Sequence, residues 1–563
     1  MTPLRTDTVR CLLAGALGLA LATVHAPARA AGDDAEERLE HQAVQRSTWT
    51  DHDGQAIPKP APRDPHLLPH IVHEAFTESM AHEFDIPDRI LWALQPLGVK
   101  KVPTASNVNA FDEAPNSTWF TNRNHVRAVS TEAIRQGPLG PIRPTPPYTI
   151  KGVKTAGFNP GFNVKDGAGQ KWVVKLDREG FPQASSGAGA VSSRLVWAAG
   201  YNISHDEAFT FRREDLVLDP EVLRGKHGAK PFSPGDLDAL LARGARSDDG
   251  RYYASASLYL SGALVGPFSF SGKRGDDPND RYRHKDRREL RGLFVVYSWL
   301  NNWDVKDQQS LDSYGPEGGP GHLTHYLLDV NGSLGAAAEG AKPLRYGYES
   351  RFDTAWILRR VVTLGFAVEP WRRAKQKTGI PSVGNFEAAE FDPEDWRPLQ
   401  MMEAFRRMTP ADAYWGAKIV ASFSNAQIAA AVDAAGYEDP RASAYIREVL
   451  EQRRDKIARF WFARVAPLDF FRVHDDYLVF QDLSVDLGLS PERGYRVEEE
   501  RGDGREIPVQ VLARDPRISL RTAGRGADRL MLVLGVAGSN ARPVHVELRR
   551  HGREWTVVGV RHG

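Results

Sequence analysis

A short polar run after residue 300 carries side chains suited to group-transfer chemistry. Asp304, Lys306 and Gln309 offer a carboxylate that can accept a proton, an ammonium that can bind an anion, and an amide oxygen that can ligate a metal ion. Asp329 directly follows the apolar residues Tyr326-Leu327-Leu328, at the end of a predicted strand. A charge placed there is costly unless a cation or hydrogen-bond donors meet it. The alternative for Asp304 is structural, because an aspartate beside a turn commonly caps it.

A second candidate group precedes this run by about 130 residues. Lys175 ends the strand-like sequence Trp172-Val173-Val174, and Gly157 and Gly161 lie in the turn region before it. Glycines allow the backbone to approach a phosphate closely, and a lysine at a strand end can bind that phosphate. The structural alternatives are a simple glycine turn and a lysine that faces solvent.

The elements that must position these residues follow from periodicity. Residues 148–219 predict three antiparallel strands, a helix over 186–200 and a further strand over 208–217. Residues 287–300 predict a helix with one apolar face, which leads into the polar run, and residues 325–329 predict a strand after a Gly/Pro loop.

This order of elements resembles a protein kinase, with the polar run similar to its catalytic loop and Asp329 similar to its metal-binding loop. The likeness is greatest to atypical kinase-fold proteins such as the CotH-type spore-coat and HipA-type kinases, and it covers residues from about 148 to 470. The roles it implies are catalytic base for Asp304, phosphate contact for Lys306, Mg or Mn ligands for Gln309 and Asp329, and nucleotide binding for Gly157, Gly161 and Lys175.

From about residue 100 to 475 the chain also resembles an uncharacterised family of large exported bacterial proteins. The similar segments are residues 109–113, 119–123, 277–280, 287–290 and 299–301. That family's pattern has Asn at 309, Asp-Phe-Gly at the metal loop and Glu near 189, where this chain has Gln309, Asp329-Val330-Asn331 and Gly189. Lys175 therefore lacks its obvious ion-pair partner, and Asp206 and Glu207 are the candidate substitutes.

The predicted fold class is α+β: a two-lobed protein-kinase-like fold with an N-terminal helical or irregular extension and a C-terminal β-sandwich. The predicted divisions are a signal peptide (1–30), an extension and cap (31–147), a strand-rich N-lobe (148–260), a helical C-lobe (261–467) and the β-sandwich (468–563). Little packing is expected for residues 31–65, which are polar and rich in proline.

Composition and the N-terminus indicate an exported globular protein. The chain has 563 residues and a formal net charge of +1, which is too balanced for a dedicated nucleic-acid-binding protein. Arg5 and Arg10 precede an apolar run over 12–22, and Ala28-Arg29-Ala30 has the small-x-small pattern that signal peptidase cleaves. The run is too short for a permanent transmembrane anchor. Cys11 is the only cysteine, so the processed chain lacks disulfides and thiolate chemistry, and we expect it to be periplasmic or secreted.

Three further patterns receive structural interpretations. His66, His70, His73 and Glu74 have the spacing of ligands on one helical face, but Pro69 interrupts that helix. Asp307 and Asp312 are predicted to be solvated. The basic run 281–291 is mixed with acids, which favours a solvated helix face over a phosphate groove.

Two functions from different classes fit the sequence. The first is an exported, metal-dependent phosphotransferase that uses Mg or Mn with a nucleotide and acts on an unknown protein or envelope acceptor. The second is a non-catalytic envelope scaffold, related to pseudokinases, whose β-sandwich binds a protein or glycan. The pairing of Asp304 with Asp329 favours the enzyme, whereas the missing partner of Lys175 and the scarcity of ATP outside the cytoplasm favour the scaffold.

Overall fold

A computed structural model describes residues 50–63, 102–153, 159–224, 230–316, 320–351, 354–366, 368–500, 506–512, 515–520 and 528–563. Within these ranges the protein is an α+β structure with 11 α-helices and six sheets. The predicted signal peptide, the His66–Glu74 cluster and Gly157 lie outside the described residues. No helix among the residues that are described combines the length and the apolar character needed to cross a bilayer.

The first half of the described chain is built around one six-stranded sheet. Its elements in chain order are α1 (Thr131–Gln136), β1 (Tyr148–Val153), β2 (Gly161–Lys165), β3 (Lys171–Leu176), α2 (Ala184–Ala199), β4 (Asp206–Phe211), β5 (Leu216–Leu218), β6 (Leu223–Arg224), β7 (Lys230–Pro231), α3 (Pro234–Leu241) and β8 (Tyr252–Leu258). The strand order in the sheet is β4-β8-β3-β2-β1-β5, and all pairs are antiparallel except β1 with β5.

Most of the local predictions for this sheet are confirmed. Strands β1 to β3 are antiparallel neighbours, and α2 covers the predicted helix and ends at Gly200. The single strand predicted over 208–217 is wrong: β4 ends at Phe211, a 3-10 turn follows at Arg213–Asp215, and β5 then pairs with β1 on the opposite edge of the sheet. The turn falls on four consecutive charged residues, 212–215, which interrupt the alternation of apolar and polar residues and were the available signal for the break.

The middle of the chain is mainly helical but also contains short strands. Its elements are β9 (Ala263–Leu264), α4 (Arg288–Leu300), β10 (Ser310–Gly315), β11 (His322–Leu327), β12 (Ala336–Ala337), β13 (Gly340–Ala341), α5 (Thr354–Val362), α6 (Pro370–Arg373), α7 (Glu403–Arg406), α8 (Pro410–Ala421), α9 (Asn425–Ala434) and α10 (Pro440–Phe462). The sheet β11-β10-β9 is an addition to the predicted helical region, because β10 was not predicted.

The helix boundaries in this region have the predicted chemical causes. Thr409 caps α8 with Pro410 at its first position, and Ser424 with Gln427 forms a capping box on α9. Helix α4 is buried along its whole length, and it packs against α8 and α10 in the largest apolar core of the molecule. These helices therefore form a rigid support for the polar run that follows α4.

The last hundred residues form two sheets around a separate apolar core. The elements are β14 (Leu468–His474), β15 (Tyr477–Asp482), α11 (Leu483–Asp486), β16 (Tyr495–Glu500), β17 (Glu506–Leu512), β18 (Arg517–Ser519), β19 (Arg529–Val536), β20 (Val544–His551) and β21 (Glu554–His562). The sheets β14-β15-β18 and β17-β16-β19-β20-β21 share one cluster of buried side chains. The period-two pattern of β19 and β20 is confirmed; the β-sandwich and the domain boundaries stay predictions.

The predicted solvated helix face over 281–291 is wrong, because Arg287, Arg288 and Arg291 are buried. Each is held by carboxylates, and Arg288 contacts Asp112 at 2.7 Å and Asp412 at 2.8 Å. The same region contains Lys418, which binds Glu113 and Asp469. We call these six residues (Asp112, Glu113, Arg288, Asp412, Lys418 and Asp469) the buried ionic network.

Two other solvation predictions are also wrong. Asp307 and Asp312 are buried, and Asp312 contacts Arg274 at 3.1 Å and His325 at 2.6 Å. The sequence shows the charged residues but not the partners that lie far away along the chain. A run of mixed charge is therefore predicted to be solvated, although in the folded protein its residues are buried in ion pairs.

The described part of the predicted loose extension, residues 50–63, packs against the rest of the chain. Ile57 is buried in a small apolar cluster, and the Asp53 carboxylate accepts hydrogen bonds from the backbone and hydroxyl of Thr118. The expectation of little packing is therefore wrong for this part, because its few apolar and acidic side chains find specific partners.

Candidate functional site

Lys175 and Asp329 are in direct contact, although they are far apart in sequence. Lys175 lies near the end of the central strand β3, its side chain is almost fully buried, and its Nζ atom is 2.7 Å from Oδ1 of Asp329. The Asp329 side chain is 44% exposed, so one side of the ion pair is open to solvent. The predicted proximity of these two residues is confirmed.

The backbone around Asp329 explains its placement. Strand β11 ends at Leu327, two residues before the predicted end, and Asp329 adopts a left-handed conformation with φ of 54° before the 3-10 turn Val330–Gly332. Aspartate tolerates this conformation better than a branched residue does. The turn packs against α2, so the loop is fixed between the first sheet and the helical region.

Asp304, Lys306 and Gln309 form a compact cluster beside the same loop. Oδ2 of Asp304 accepts hydrogen bonds from Nζ of Lys306 at 2.8 Å and from Nε2 of Gln309 at 3.0 Å. The backbone N–H of Leu328 donates to the carbonyl of Gln309 at 2.8 Å, and a Cβ added to Gly332 would lie 3.7 Å from Cβ of Asp304. Tertiary structure thus brings the polar run and the Asp329 loop together.

Gly161 lies opposite Lys175 in the β2–β3 pair. A Cβ added to Gly161 would stand 2.2 Å from the carbonyl oxygen of Val174, so this position has no room for a side chain. The close approach of the two strands accounts for this glycine on structural grounds. Its nucleotide-binding role stays a prediction.

Asp206 and Glu207 were the two candidate partners for Lys175, and the structure separates them. Glu207 is occupied by Arg194 and by His205 at 3.2 Å, so it is not the partner. Asp206 is fully buried, and burial raises the pKa of its carboxyl to about 6; the nearby Ser257 hydroxyl and the Lys175 charge only partly offset this effect. Asp206 therefore lies within the electrostatic field of Lys175.

Position 189 has no space for the glutamate of the family pattern. A Cβ added to Gly189 would meet the side-chain amide of Asn331, with Nδ2 at 2.7 Å. Asn331 in turn donates to the Ser185 carbonyl at 3.2 Å and to Oγ of Ser255 at 3.0 Å. Positions 189 and 331 are thus spatially coupled: the Asn331 side chain fills the volume beside Gly189.

Asp177 is a site-adjacent residue that sequence reasoning missed. It follows β3 directly and accepts hydrogen bonds from the backbone N–H groups of Gln183, Ser185 and Ser186 at the start of α2. Burial raises the pKa of its carboxyl to about 6, although the hydrogen bonds from Ser186, Ser185 and Gln183 oppose the shift. An aspartate between a strand and a helix was the available signal, since such residues cap helices.

The donor set of the site suits a hard divalent cation. Asp329 supplies carboxylate oxygens and Gln309 supplies an amide oxygen, and Mg²⁺ is commonly held by one or two carboxylates together with substrate phosphates. Among the described residues there is no cluster of three or more His, Cys, Asp or Glu side chains arranged to hold a metal by themselves. The residues present therefore fit a metal shared with a phosphate ligand.

Comparisons with known proteins return distant structural likenesses. No family profile matches the chain, and no curated protein matches it. The crystal structure of the Helicobacter pylori proinflammatory kinase CtkA aligns with 57% of this chain and 99% of its own, at 9% identity and a TM-score of 0.31. Two structures of the Golgi casein kinase, one with Mn/ADP bound, align at 10% and 11% identity with TM-scores of 0.27 and 0.28; they cover 56% and 74% of this chain and 72% and 95% of their own. Likenesses at this level do not establish a family or a function.

Proposed function

We propose that this protein is an exported phosphotransferase with a protein-kinase-like active site, which transfers a phosphoryl group from a nucleotide to a hydroxyl of an envelope or secreted acceptor. The observation that carries the proposal is the contact of Lys175 with Asp329, next to the cluster of Asp304, Lys306 and Gln309. These side chains come from separate parts of the sequence and supply the groups that phosphoryl transfer requires.

Each residue has one role in the proposed reaction. Lys175 binds the phosphates of the donor, and Asp304 accepts the proton of the acceptor hydroxyl. The hydroxyl oxygen forms a bond to the terminal phosphorus of the donor while the bond from that phosphorus to the leaving nucleoside diphosphate breaks. Lys306 lies 2.8 Å from Asp304, where it offsets charge on the transferring group. Asp329 and Gln309 would hold Mg or Mn, which neutralises phosphate charge when bound.

The ion pair between Lys175 and Asp329 has a consequence for ligand binding. On ligand binding, the Lys175 ammonium would donate hydrogen bonds to the phosphates and Asp329 would coordinate the metal, so binding exchanges the direct contact of the pair for several new interactions. Asp206 is a fully buried carboxyl that interacts electrostatically with Lys175, and its negative charge stabilises the ammonium of Lys175. We propose that Asp206 replaces the missing helix glutamate.

Thermal unfolding with ligands tests the proposal. Mg or Mn together with a nucleoside triphosphate should raise Tm, because a ligand that binds only the folded state stabilises it by mass action. Asp329→Asn should abolish the rise. Asp433→Asn is the matched control: Asp433 is 43% exposed and paired with Arg447 outside the site, so this variant should keep the full rise. Transfer of labelled phosphate to the protein or to a general acceptor should follow the same ranking.

The non-catalytic scaffold is the second candidate, and the Gly189–Asn331 packing favours it. That packing fills the place of the glutamate on which the kinase pattern depends. Under this alternative, no combination of Mg or Mn with ATP, GTP or UTP changes Tm of the parent protein, and these ligands leave the Tm of Asp329→Asn and of the Asp433→Asn control equally unchanged.

A further inference from the structure

The most exposed apolar surface in the described part of the chain follows helix α5. Five large side chains within nine residues are between 64% and 85% exposed: Leu358, Val361, Val362, Leu364 and Phe366. Soluble proteins rarely leave contiguous apolar patches of this kind uncovered unless a partner or a membrane contacts them. We call the described residues 358–366 and 368–377 the apolar-basic segment.

Local structure places three of these side chains on one face of α5. Leu358, Val361 and Val362 have the i, i+3, i+4 spacing that places them on a single face of α5. The helix then ends in a left-handed turn, with φ of 50° at Leu364 and 83° at Gly365, and the Gly365 N–H donates to the carbonyl of Arg360 at 2.8 Å. The turn is hydrogen-bonded, so the exposed residues belong to a defined element.

The charges of the segment are strongly one-sided. It contains six Lys or Arg residues and one acid, Glu369. The Glu369 carboxylate is buried and paired with Arg360 at 3.4 Å and with Arg372 at 2.7 Å. Arg373, Lys375 and Lys377 are exposed beyond it, and the pairs of Glu369 with Arg360 and Arg372 join this basic stretch to α5.

We propose that the apolar-basic segment docks on an anionic phospholipid bilayer, with α5 lying in the interface. Apolar side chains that enter the acyl boundary beside cations that meet lipid phosphates are the two components of interfacial binding. Helix α5 has nine residues, which is far too short to span a bilayer, so the contact is peripheral. The charge complementarity favours an anionic lipid surface over a neutral apolar partner. The docking proposal does not depend on the phosphotransferase proposal.

A local fluorescent probe tests this in the full chain. Cys11 is the only cysteine, so a Cys11→Ser background allows one probe at Phe366→Cys and a control probe at Leu487→Cys, another exposed apolar position. With phosphatidylcholine vesicles that contain about a third phosphatidylglycerol, the position 366 probe should shift to the blue and brighten by roughly twofold or more. The position 487 probe should not change. Because each probe reports only its own surroundings, binding by any other part of the chain does not confound the result.

Charge variants and salt complete the test. Arg373→Glu with Lys375→Glu, or high salt, should weaken the response of the position 366 probe by about tenfold, because each cation near an anionic surface contributes separately. Pure phosphatidylcholine vesicles should give little response. Three results would overturn the proposal: no change at position 366 with anionic vesicles, an equal change at position 487, or the same change without vesicles at high protein concentration, which would identify self-association.

Discussion

Two regions of this protein hold buried charges in opposite ways. In the buried ionic network, Lys418 is enclosed between two buried carboxylates, and its contact with Asp469 is 2.7 Å. In the candidate site, Lys175 is also buried, but its partner Asp329 is 44% exposed, and Asp206 is a buried carboxyl whose pKa is raised to about 6 by burial.

The two regions differ in how far their buried charges are compensated. In the network, burial acts to raise the pKa of Asp469, but the charges of Lys418 and His562 and the hydrogen bonds to the carboxylate together hold the pKa well below its usual value, whereas burial keeps the pKa of Glu113 raised despite Lys418. In the candidate site, compensation is incomplete and one face is open. An open, undercompensated group of charges is able to accept a ligand, whereas a closed and fully paired one only stabilises the fold.

The largest expected effect comes from breaking the ionic network. Lys418→Met leaves Glu113 and Asp469 buried without the ammonium between them, which should cost about 3 to 5 kcal/mol of stability. The control is Lys306→Met in the candidate site, where both partners are partly exposed and the loss should stay within about 1 kcal/mol. Thermal unfolding of the two variants measures the contrast, and equal losses would remove the distinction between the regions.

Acid titration should reveal the same contrast with an expected effect of several kcal/mol. The Asp112 and Asp469 carboxyls have lowered pKa values despite their burial, because of Arg288 and Lys418. Their contribution to the free energy of unfolding is complete above 3.8, the pKa of an aspartate in the unfolded chain, and it is lost as pH falls below that value. The pKa values of Asp177 and Asp206 are raised to about 6, so at neutral pH the two buried carboxylates destabilise the folded state. This destabilisation disappears as pH falls from about 6 to 3.8 and the carboxyls become protonated. Tm should therefore be highest between about pH 4 and 6; a steady decline from pH 7 would contradict this.

Coupling between Gly189 and Asn331 can be measured by a double-mutant cycle. Gly189→Glu forces atoms into the Asn331 amide and should cost about 3 kcal/mol. Asn331→Gly in the same chain removes the obstacle and should restore most of the loss, so the two changes are not additive. If the glutamate introduced at position 189 forms an ion pair with Lys175, the nucleotide-dependent rise in Tm should be larger in the double variant than in the parent protein. Additive losses would show that the two positions are independent.

Asp206→Asn should have the smallest effect and the opposite sign. Above pH 6 the folded state carries the cost of the buried carboxylate, so its removal should raise stability by about 2 kcal/mol near pH 7.5. Near pH 4 the group is protonated in the folded state, and the gain should nearly vanish. If Asp206 supports Lys175, the same variant should weaken nucleotide binding while it stabilises the protein. A pH-independent change in Tm would argue against the buried, ionisable carboxyl described here.

Local chemistry accounts for what could be predicted without the structure. The capping of α8 by Thr409 and Pro410, the strand β3 that ends near Lys175, and the alternating core residues of β19 depend on neighbours within a few positions. The position of Asp329 after an apolar strand indicated a charge in need of a cation, and Lys175 supplies it.

The sequence by itself determined most of the elements, their caps and the candidate residues for phosphate chemistry, because these depend on residue type and near spacing. Only the tertiary structure decided which charges meet: that Glu207 binds Arg194 while Asp206 lies near Lys175, that Asn331 fills the space above Gly189, and that Arg288 is buried. These partners lie on different elements, and the pairs of Asn331 with Gly189 and of Arg288 with Asp112 join residues more than a hundred positions apart, so packing of the elements decides them and no local pattern encodes them.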